Sequence, residues 1–287
     1  MKVLVTGVGG QLGYDVVRTL DNAGYHVIAP THQDMDITDA EMVSLFLSKS
    51  KPDFIIHCAA WTNVDLAEDE EYRCRLTNVK GTEHIVNYCK KADIPLLYIS
   101  TDYVFNGKGE EPWKVDDRTD PQNVYGLSKR DGEIIVKKLD KYFIIRISWV
   151  FGINGKNFVK TMLNLSRTRD KLSVIFDQIG SPTYTADLAI LISQMIKTDR
   201  YGTYHACNQG YCSWYDFAKK IFELSDIDIT VEPIDSDSWP SKVKRPKNSR
   251  LDTSSLTEKG FNQLPNWEDA LKRFLDKYKS YDLSDFK

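Results

Sequence analysis

Net charge, paired cysteines and long apolar runs are all scarce in this 287-residue sequence. With 38 Lys+Arg against 41 Asp+Glu the formal net charge is −3, so a general electrostatic grip on polyanions has no source, and nucleic acid is not expected as a partner. The five cysteines (Cys58, Cys74, Cys89, Cys207 and Cys212) are odd in number and contain no C-x-x-C spacing. That excludes a disulfide framework and fits a reducing compartment. The histidines form no H-x-x-x-H or H-E-x-x-H pair, so no protein-ligated metal is expected. The chain opens with one lysine, then Val3-Leu4-Val5, and reaches Gly7, far short of a secretory apolar region or a span of about 20 residues. A cytoplasmic location without membrane association is the expectation. Internal repeats and low-complexity tracts are absent too.

What is present is ordinary globular composition, 41% hydrophobic and 28% charged. The length suits one large α/β domain, or a nucleotide-binding domain with a smaller companion. Short apolar runs alternate with helix-period segments through the first half, the pattern of repeated βα units on a parallel sheet. Strands are expected at Lys2–Thr6, His26–Pro30, Asp53–Cys58, Pro95–Ser100 and Tyr142–Ser148, and helices at Gln11–Asn22, Asp39–Lys49 (opened by Thr38 as cap), Thr82–Ala92 and Val124–Lys138. After Trp149 the periodicity is less regular. Lys171–Phe176 and Gly202–Ala206 read as strands, and Asn157–Arg167, Ala186–Thr198, Trp214–Ser225 and Trp267–Tyr278 as helices. The fold class expected is α/β, a doubly wound parallel sheet with a smaller, discontinuous α/β substrate domain. Residues 1–150 and 171–206 are assigned to the first unit, and 151–170 and 207–287 to the second.

The opening carries the strongest local signal. Gly7-Val8-Gly9-Gly10-Gln11-Leu12-Gly13 follows a strand and precedes a helix. In that context a G-x-x-G-x-x-G turn lets backbone approach a pyrophosphate while the helix N-terminus offers free N–H groups and the positive end of its dipole. A Rossmann-type dinucleotide site is the reading; a tight structural turn is the plainer alternative. An acid closing the second strand would hold the adenosine ribose and favour NAD. Here the strand ends Ala29-Pro30-Thr31-His32, and Asp34 and Asp36 lie beyond it. Nothing there is built to reject a 2′-phosphate, so NADPH or NADH is expected, with a lean to NADPH or dual use.

Tyr125 and Lys129 are four residues apart in an expected helix, so a phenol and an ammonium share one face. Tyr215 and Lys219 repeat the spacing outside the βα series and are expected at the surface. Position separates the pairs, because Tyr125 follows the strand ending Ser100-Thr101, at the carboxyl edge of the sheet where open α/β folds bind ligands. Thr101, Tyr125 and Lys129 are the catalytic candidates.

These residues, with the glycine turn, resemble the extended short-chain dehydrogenase/reductase family. The resemblance runs from Met1 to about Tyr278. It narrows toward reductases of dTDP-4-dehydro sugars through His57-Cys58-Ala59-Ala60-Trp61-Thr62-Asn63-Val64-Asp65, Ser100-Thr101-Asp102-Tyr103-Val104-Phe105, Tyr125-Gly126-Leu127-Ser128-Lys129, Arg146-Ile147-Ser148-Trp149-Val150-Phe151-Gly152, the stretch Gly155 to Met162 and Arg245-Pro246-Lys247-Asn248-Ser249. It implies NAD(P)H-dependent reduction of the 4-keto group of dTDP-4-dehydro-L-rhamnose, with a dTDP-sugar as substrate and a monomer or homodimer as the assembly. Tyr125 would give the proton, its pKa lowered by Lys129; Lys129 would also hold the nicotinamide ribose, and Thr101 would hydrogen-bond the carbonyl oxygen. Gly7, Gly10, Gln11, Leu12, Asp36, Ile37, Ala59, Ala60 and Thr62 would line the cofactor. Asp102, Trp149, Asn157 and Arg245 would meet the substrate, Arg245 being chosen from a basic run, Lys242 to Arg250, suited to a pyrophosphate. A solvated loop is the plainer reading of that run. Related nucleotide-sugar dehydratases follow the threonine with Asp-Glu; here Asp102 precedes Tyr103, which removes the second carboxylate of a dehydration pair. A nucleotide-sugar 4-epimerase shares the Tyr and Lys. The fold also resembles a non-catalytic regulatory partner of methionine adenosyltransferase, against which the intact Thr101, Tyr125 and Lys129 set argues.

Overall fold

A computed structural model describes residues 1–238 and 240–282. Its centre is a six-stranded sheet built from β1 (Lys2–Thr6), β2 (His26–Ile28), β3 (Phe54–His57), β4 (Leu96–Thr101), β5 (Tyr142–Ile147) and the later strand Gly202–His205. All pairings are parallel, and the spatial order is Gly202–His205, β5, β4, β3, β1, β2. The order reverses at β1, as a doubly wound sheet requires, and the crevice at that switch is where such folds take ligands.

Successive strand residues face opposite sides, so each strand feeds two cores. Val3, Val5, Phe54, Ile56, Leu97 and Ile145 pack beneath α1 (Gln11–Asn22) and the helix Thr185–Met195. Leu4, Ile55, Leu96, Tyr98 and Ile144 pack beneath α2 (Ala40–Ser50) and the helix Thr82–Ala92. This is why β3 and β4 read as unbroken apolar runs rather than alternating ones. A third core of Phe151, Val159, Leu172, Phe217, Ile221, Trp267 and Phe274 belongs to the second half.

Three expectations change. Asp39, not Thr38, caps α2, its carboxylate accepting from the Glu41 and Met42 amides; Thr38 turns back to donate to Asp36 Oδ1. Lys171–Ile175, expected with the first unit, pairs in parallel with Thr230–Ile234 and sends Leu172 and Val174 into the third core. The place beside β5 is held by Gly202–His205. Short helices at Val64–Asp69 and Glu71–Arg75 and a π-helical turn at Leu76–Gly81, running into Thr82–Ala92, fill a stretch with no expected element. Trp239 and residues 283–287, assigned above to the second unit, lie outside the described residues. Among the described residues no helix is long and apolar enough to cross a membrane.

Candidate active site

The glycine turn is tight for steric reasons. Gly7 has φ +69, and a Cβ there would stand 2.6 Å from the Ala59 amide nitrogen. A Cβ on Gly13 would stand 2.3 Å from the Gly7 carbonyl oxygen. Gly10 caps α1 in extended conformation with no side chain in the way, and its N–H closes the turn on the Gly7 carbonyl at 2.9 Å. These contacts leave a bare backbone cradle at a helix N-terminus, shaped for a pyrophosphate. A cleft of about 670 Å³ opens from it. Gly7, Gly10, Gln11, Leu12, Asp36, Ile37, Ala59, Ala60 and Thr62 all line this cleft, as do Thr101, Asp102, Tyr125, Lys129 and Trp149.

The turn is braced from below. Thr6 Oγ1 meets His57 Nδ1 at 2.7 Å and accepts the Ala59 amide at 3.1 Å, while His57 Nε2 meets Thr82 Oγ1 at 3.2 Å. Burial, reinforced by the Lys129 charge, drives the imidazole down to about 3, so it is neutral. Asn78, on the π-helical turn, holds Trp61 through both backbone groups (2.8 and 3.1 Å) and donates to Ser128 at 2.9 Å, which ties the Ala60–Thr62 loop to the helix Val124–Val136. π-turns often sit at such functional junctions.

Asn123 caps that helix by accepting the Gly126 amide at 2.8 Å, and its first turns present Tyr125 and Lys129 to the cleft. Gly126 has no room for a side chain, since a Cβ would meet the Tyr103 carbonyl oxygen at 2.2 Å. Lys129 is 3% exposed, its Nζ lying 4.0 Å above the centre of the Tyr98 ring. Burial pulls the ammonium down to about 7, with Glu133 opposing. Burial and the Asp102 charge push the Tyr125 phenol well above its usual value, against the Thr101 hydroxyl. The expected lowering of Tyr125 by Lys129 is therefore corrected: desolvation and the Asp102 charge dominate the phenol. Thr101, closing β4, accepts the Tyr103 amide and donates to Asp102 Oδ1 at 2.9 Å. Asp102 is buried with Oδ2 lacking a hydrogen-bond partner within 3.5 Å. Desolvation lifts it to about 6 against the Ser249 and Thr101 hydroxyls.

The substrate candidates part company. Trp149, in left-handed conformation at φ +48, stacks on Trp214 with centroids 3.6 Å apart at the cleft wall. Asn157 has its side chain committed: it caps the helix Phe158–Leu165 by accepting the Lys160 amide, and it donates to Gly152 O at 2.8 Å and Gln11 Oε1 at 3.0 Å. Arg245 lines a second, more polar cleft of about 830 Å³, between residues 106–110 and 236–250, not the one holding Tyr125. Its guanidinium grips both oxygens of Asp65, at 2.7 and 2.6 Å, across from one lobe to the other. Lys247 is likewise engaged by Asp177 and Asp237. The control pair behaves as expected, with Lys219 exposed and lying over the Tyr215 ring outside both clefts. Sequence reasoning missed Asn154, whose amide reaches Gly9 O at 2.8 Å, and Lys156, which lines the main cleft. The Asn154-Gly155-Lys156 turn was the available signal, Gly155 having φ +73.

The family model described as the RmlD substrate binding domain matches residues 1–280. The chain is similar to the spore coat polysaccharide biosynthesis protein SpsK of Bacillus subtilis (strain 168), 41% identical over 280 residues with 97% of this chain and 98% of that one covered. It is 39% identical over 286 residues to the dTDP-4-dehydrorhamnose reductase of Aggregatibacter actinomycetemcomitans, covering 94% of this chain and 97% of that one. Among solved structures, dTDP-4-dehydrorhamnose reductase from Bacillus anthracis str. Ames in complex with NADP superposes with a TM-score of 0.94 at 41% identity, covering 96% of this chain and 99% of that one. With a family model spanning almost the whole chain and full-length relatives above 30% identity, the chain belongs to the dTDP-4-dehydrorhamnose reductase family, that of the RmlD substrate binding domain.

Proposed function

We propose that this chain reduces the 4-keto group of dTDP-4-dehydro-L-rhamnose to dTDP-L-rhamnose, using NADPH or NADH, with Thr101, Tyr125 and Lys129 as the catalytic residues. The observation that carries the reading is that all three line one cleft with the bare glycine turn. The cradle fits a dinucleotide, and Gly7, Gly10, Gln11, Leu12, Asp36, Ile37, Ala59, Ala60 and Thr62 would hold it. When bound, the nicotinamide supplies the hydride for the ketone carbon. Tyr125 then supplies the proton at the ketone oxygen. A phenol held above its usual pKa keeps its proton at neutral pH, which suits an acid in the reducing direction. Thr101 Oγ1 donates to the same oxygen after leaving Asp102, and Lys129 holds ribose hydroxyls with the ammonium that Glu133 sustains.

Asp102 Oδ2, buried without a partner within 3.5 Å, would accept a sugar hydroxyl. The Trp149 ring forms the wall beside it, and Asn157 acts through Gln11 as much as on substrate. Arg245 would bind the pyrophosphate once Asp65 releases it. The five free cysteines favour the cytoplasm as the site of the reaction, and light scattering decides between monomer and homodimer. The test is oxidation of NADPH and of NADH with dTDP-4-dehydro-L-rhamnose. Folded protein that binds NADPH yet gives no turnover with either cofactor would overturn the assignment.

A further inference from the structure

Tyr125, Lys129 and Glu133 follow one another at four-residue spacing along the helix Val124–Val136, and only the first two face the cleft. Glu133 is 2% exposed and fully engaged. Its Oε1 accepts Ser100 Oγ at 2.6 Å and Arg146 Nε at 2.9 Å, and its Oε2 accepts Arg146 Nη2 at 2.8 Å. Arg146 continues the network to Val115 O at 3.0 Å and to His205 Nε2 at 3.3 Å. Ser100, Arg146 and His205 sit side by side in register across β4, β5 and Gly202–His205. One carboxylate thus fastens the helix to two strands, and through Arg146 to a third, one residue before Thr101. A buried ion pair is a poor source of stability, since desolvation cancels much of its attraction. Its geometry, however, is fixed by three directional bonds to the carboxylate and two more from the guanidinium.

We propose that Glu133 is a positioning residue for the reduction: shared between Ser100 and Arg146, it sets the strand carrying Thr101 against the helix carrying Tyr125 and Lys129. The proposal rests on the reading of those three as the reacting groups. A second consequence is electrostatic. The groups acting on or packed against Lys129 are His57 and Cys58 at the end of β3, Cys74, the Tyr98 ring, and Glu133 on its own helix, with Arg146 on β5 behind Glu133. Glu133 is the carboxylate among them, so it upholds the charge that would hold the ribose.

The test compares Glu133→Gln with Ser100→Ala. Glutamine can still accept from Ser100 but carries no charge; alanine removes only the tether to β4. For Glu133→Gln we expect the single-turnover rate to fall about tenfold or more. NADPH affinity, read by cofactor fluorescence, should weaken on the alkaline side about one pH unit earlier than in the wild type. For Ser100→Ala we expect a rate loss of about three- to tenfold, with a melting temperature lower by a few degrees at most and the pH dependence of NADPH affinity unchanged. A wild-type rate in Ser100→Ala overturns the proposal, even where Glu133→Gln does not fold. So does a Glu133→Gln protein whose NADPH affinity weakens equally at every pH. Tyr125→Phe is assayed alongside: normal turnover there removes the assignment of the reacting groups, whereas an inactive Tyr125→Phe beside a fully active Ser100→Ala removes only the role of Glu133.

Discussion

Replacing Lys129 by methionine should stabilise the fold while abolishing the chemistry. The ammonium is 3% exposed and held at about 7 instead of 10.5. At about 1.4 kcal/mol for each tenfold change in the proton equilibrium, that difference corresponds to about 5 kcal/mol of penalty against burying the charged form. Methionine has similar length and no charge, so the penalty vanishes. The substitution forfeits the contact with the Tyr98 ring at 4.0 Å, worth about 2 kcal/mol when desolvated. A net gain of about 3 kcal/mol remains, or roughly 5–10 °C in melting temperature for a chain of this size.

The pH dependence gives the sign independently. Below about pH 7 the lysine is protonated both folded and unfolded, and the whole penalty is present. Between about 7 and 10.5 the unfolded chain binds the extra proton, so the wild type gains stability as pH rises and approaches the variant. By about pH 9.5 the difference due to the charge should shrink to about 1 kcal/mol. Calorimetry of both cofactor-free proteins at about pH 6 and about pH 9.5 measures it, other titrations cancelling between them. A variant that melts at or below the wild type near pH 6, or a gap of constant width, would refute the reasoning.

Other substitutions probe the remaining parts of the site. Tyr125→Phe should lower turnover by about 100-fold or more with NADPH affinity retained, as judged by steady-state kinetics and fluorescence titration, because only proton transfer is lost. In Gly13→Ala the new Cβ would meet the Gly7 carbonyl at 2.3 Å, and Gly7 is itself pressed on Ala59; a loss of about 1–3 kcal/mol in stability and of most NADPH binding is expected by thermal shift with and without cofactor. Asp65→Asn frees Arg245 from an exposed ion pair, so calorimetric titration with dTDP should show affinity a few-fold higher, a gain of about 1 kcal/mol or less.

The βα series was legible because each strand from β1 to β5 is short and bounded by turn residues, and because burial of β3, β4 and β5 on both faces leaves no alternation to mislead. The glycine turn could be read for the same reason, since Gly7 and Gly13 stand where backbone lies within 3 Å of any added Cβ. Lys171–Ile175 was misassigned because a strand's partner is a long-range choice: its Leu-x-Val pattern suits either lobe, and Thr230–Ile234 lies almost 60 residues on. The helices from Val64 to Arg75 were hidden by their acids, which leave Ala67 and Cys74 as the buried residues of that stretch. Among site residues, spacing within one helix exposed Tyr125 and Lys129, but nothing local marks Glu133, whose meaning comes from Ser100 and Arg146 on separate strands.

Asp102 Oδ2 is buried with no hydrogen-bond partner within 3.5 Å, and the Lys129 ammonium lies 4.0 Å over the Tyr98 ring in the wall of the cleft. Burying a charged group in each place costs stability, and a hydroxyl bound beside either would offset part of that cost. Arg245 is the opposite case, already neutralised by Asp65, so binding there must displace an existing bond and gains correspondingly less. The reacting end of the site therefore holds buried polar groups with capacity to bond, whereas the outer end is already paired. On that arrangement binding energy should concentrate around Asp102, Tyr125 and Lys129, where interactions can strengthen as the ketone oxygen takes charge, instead of being spent evenly along the substrate.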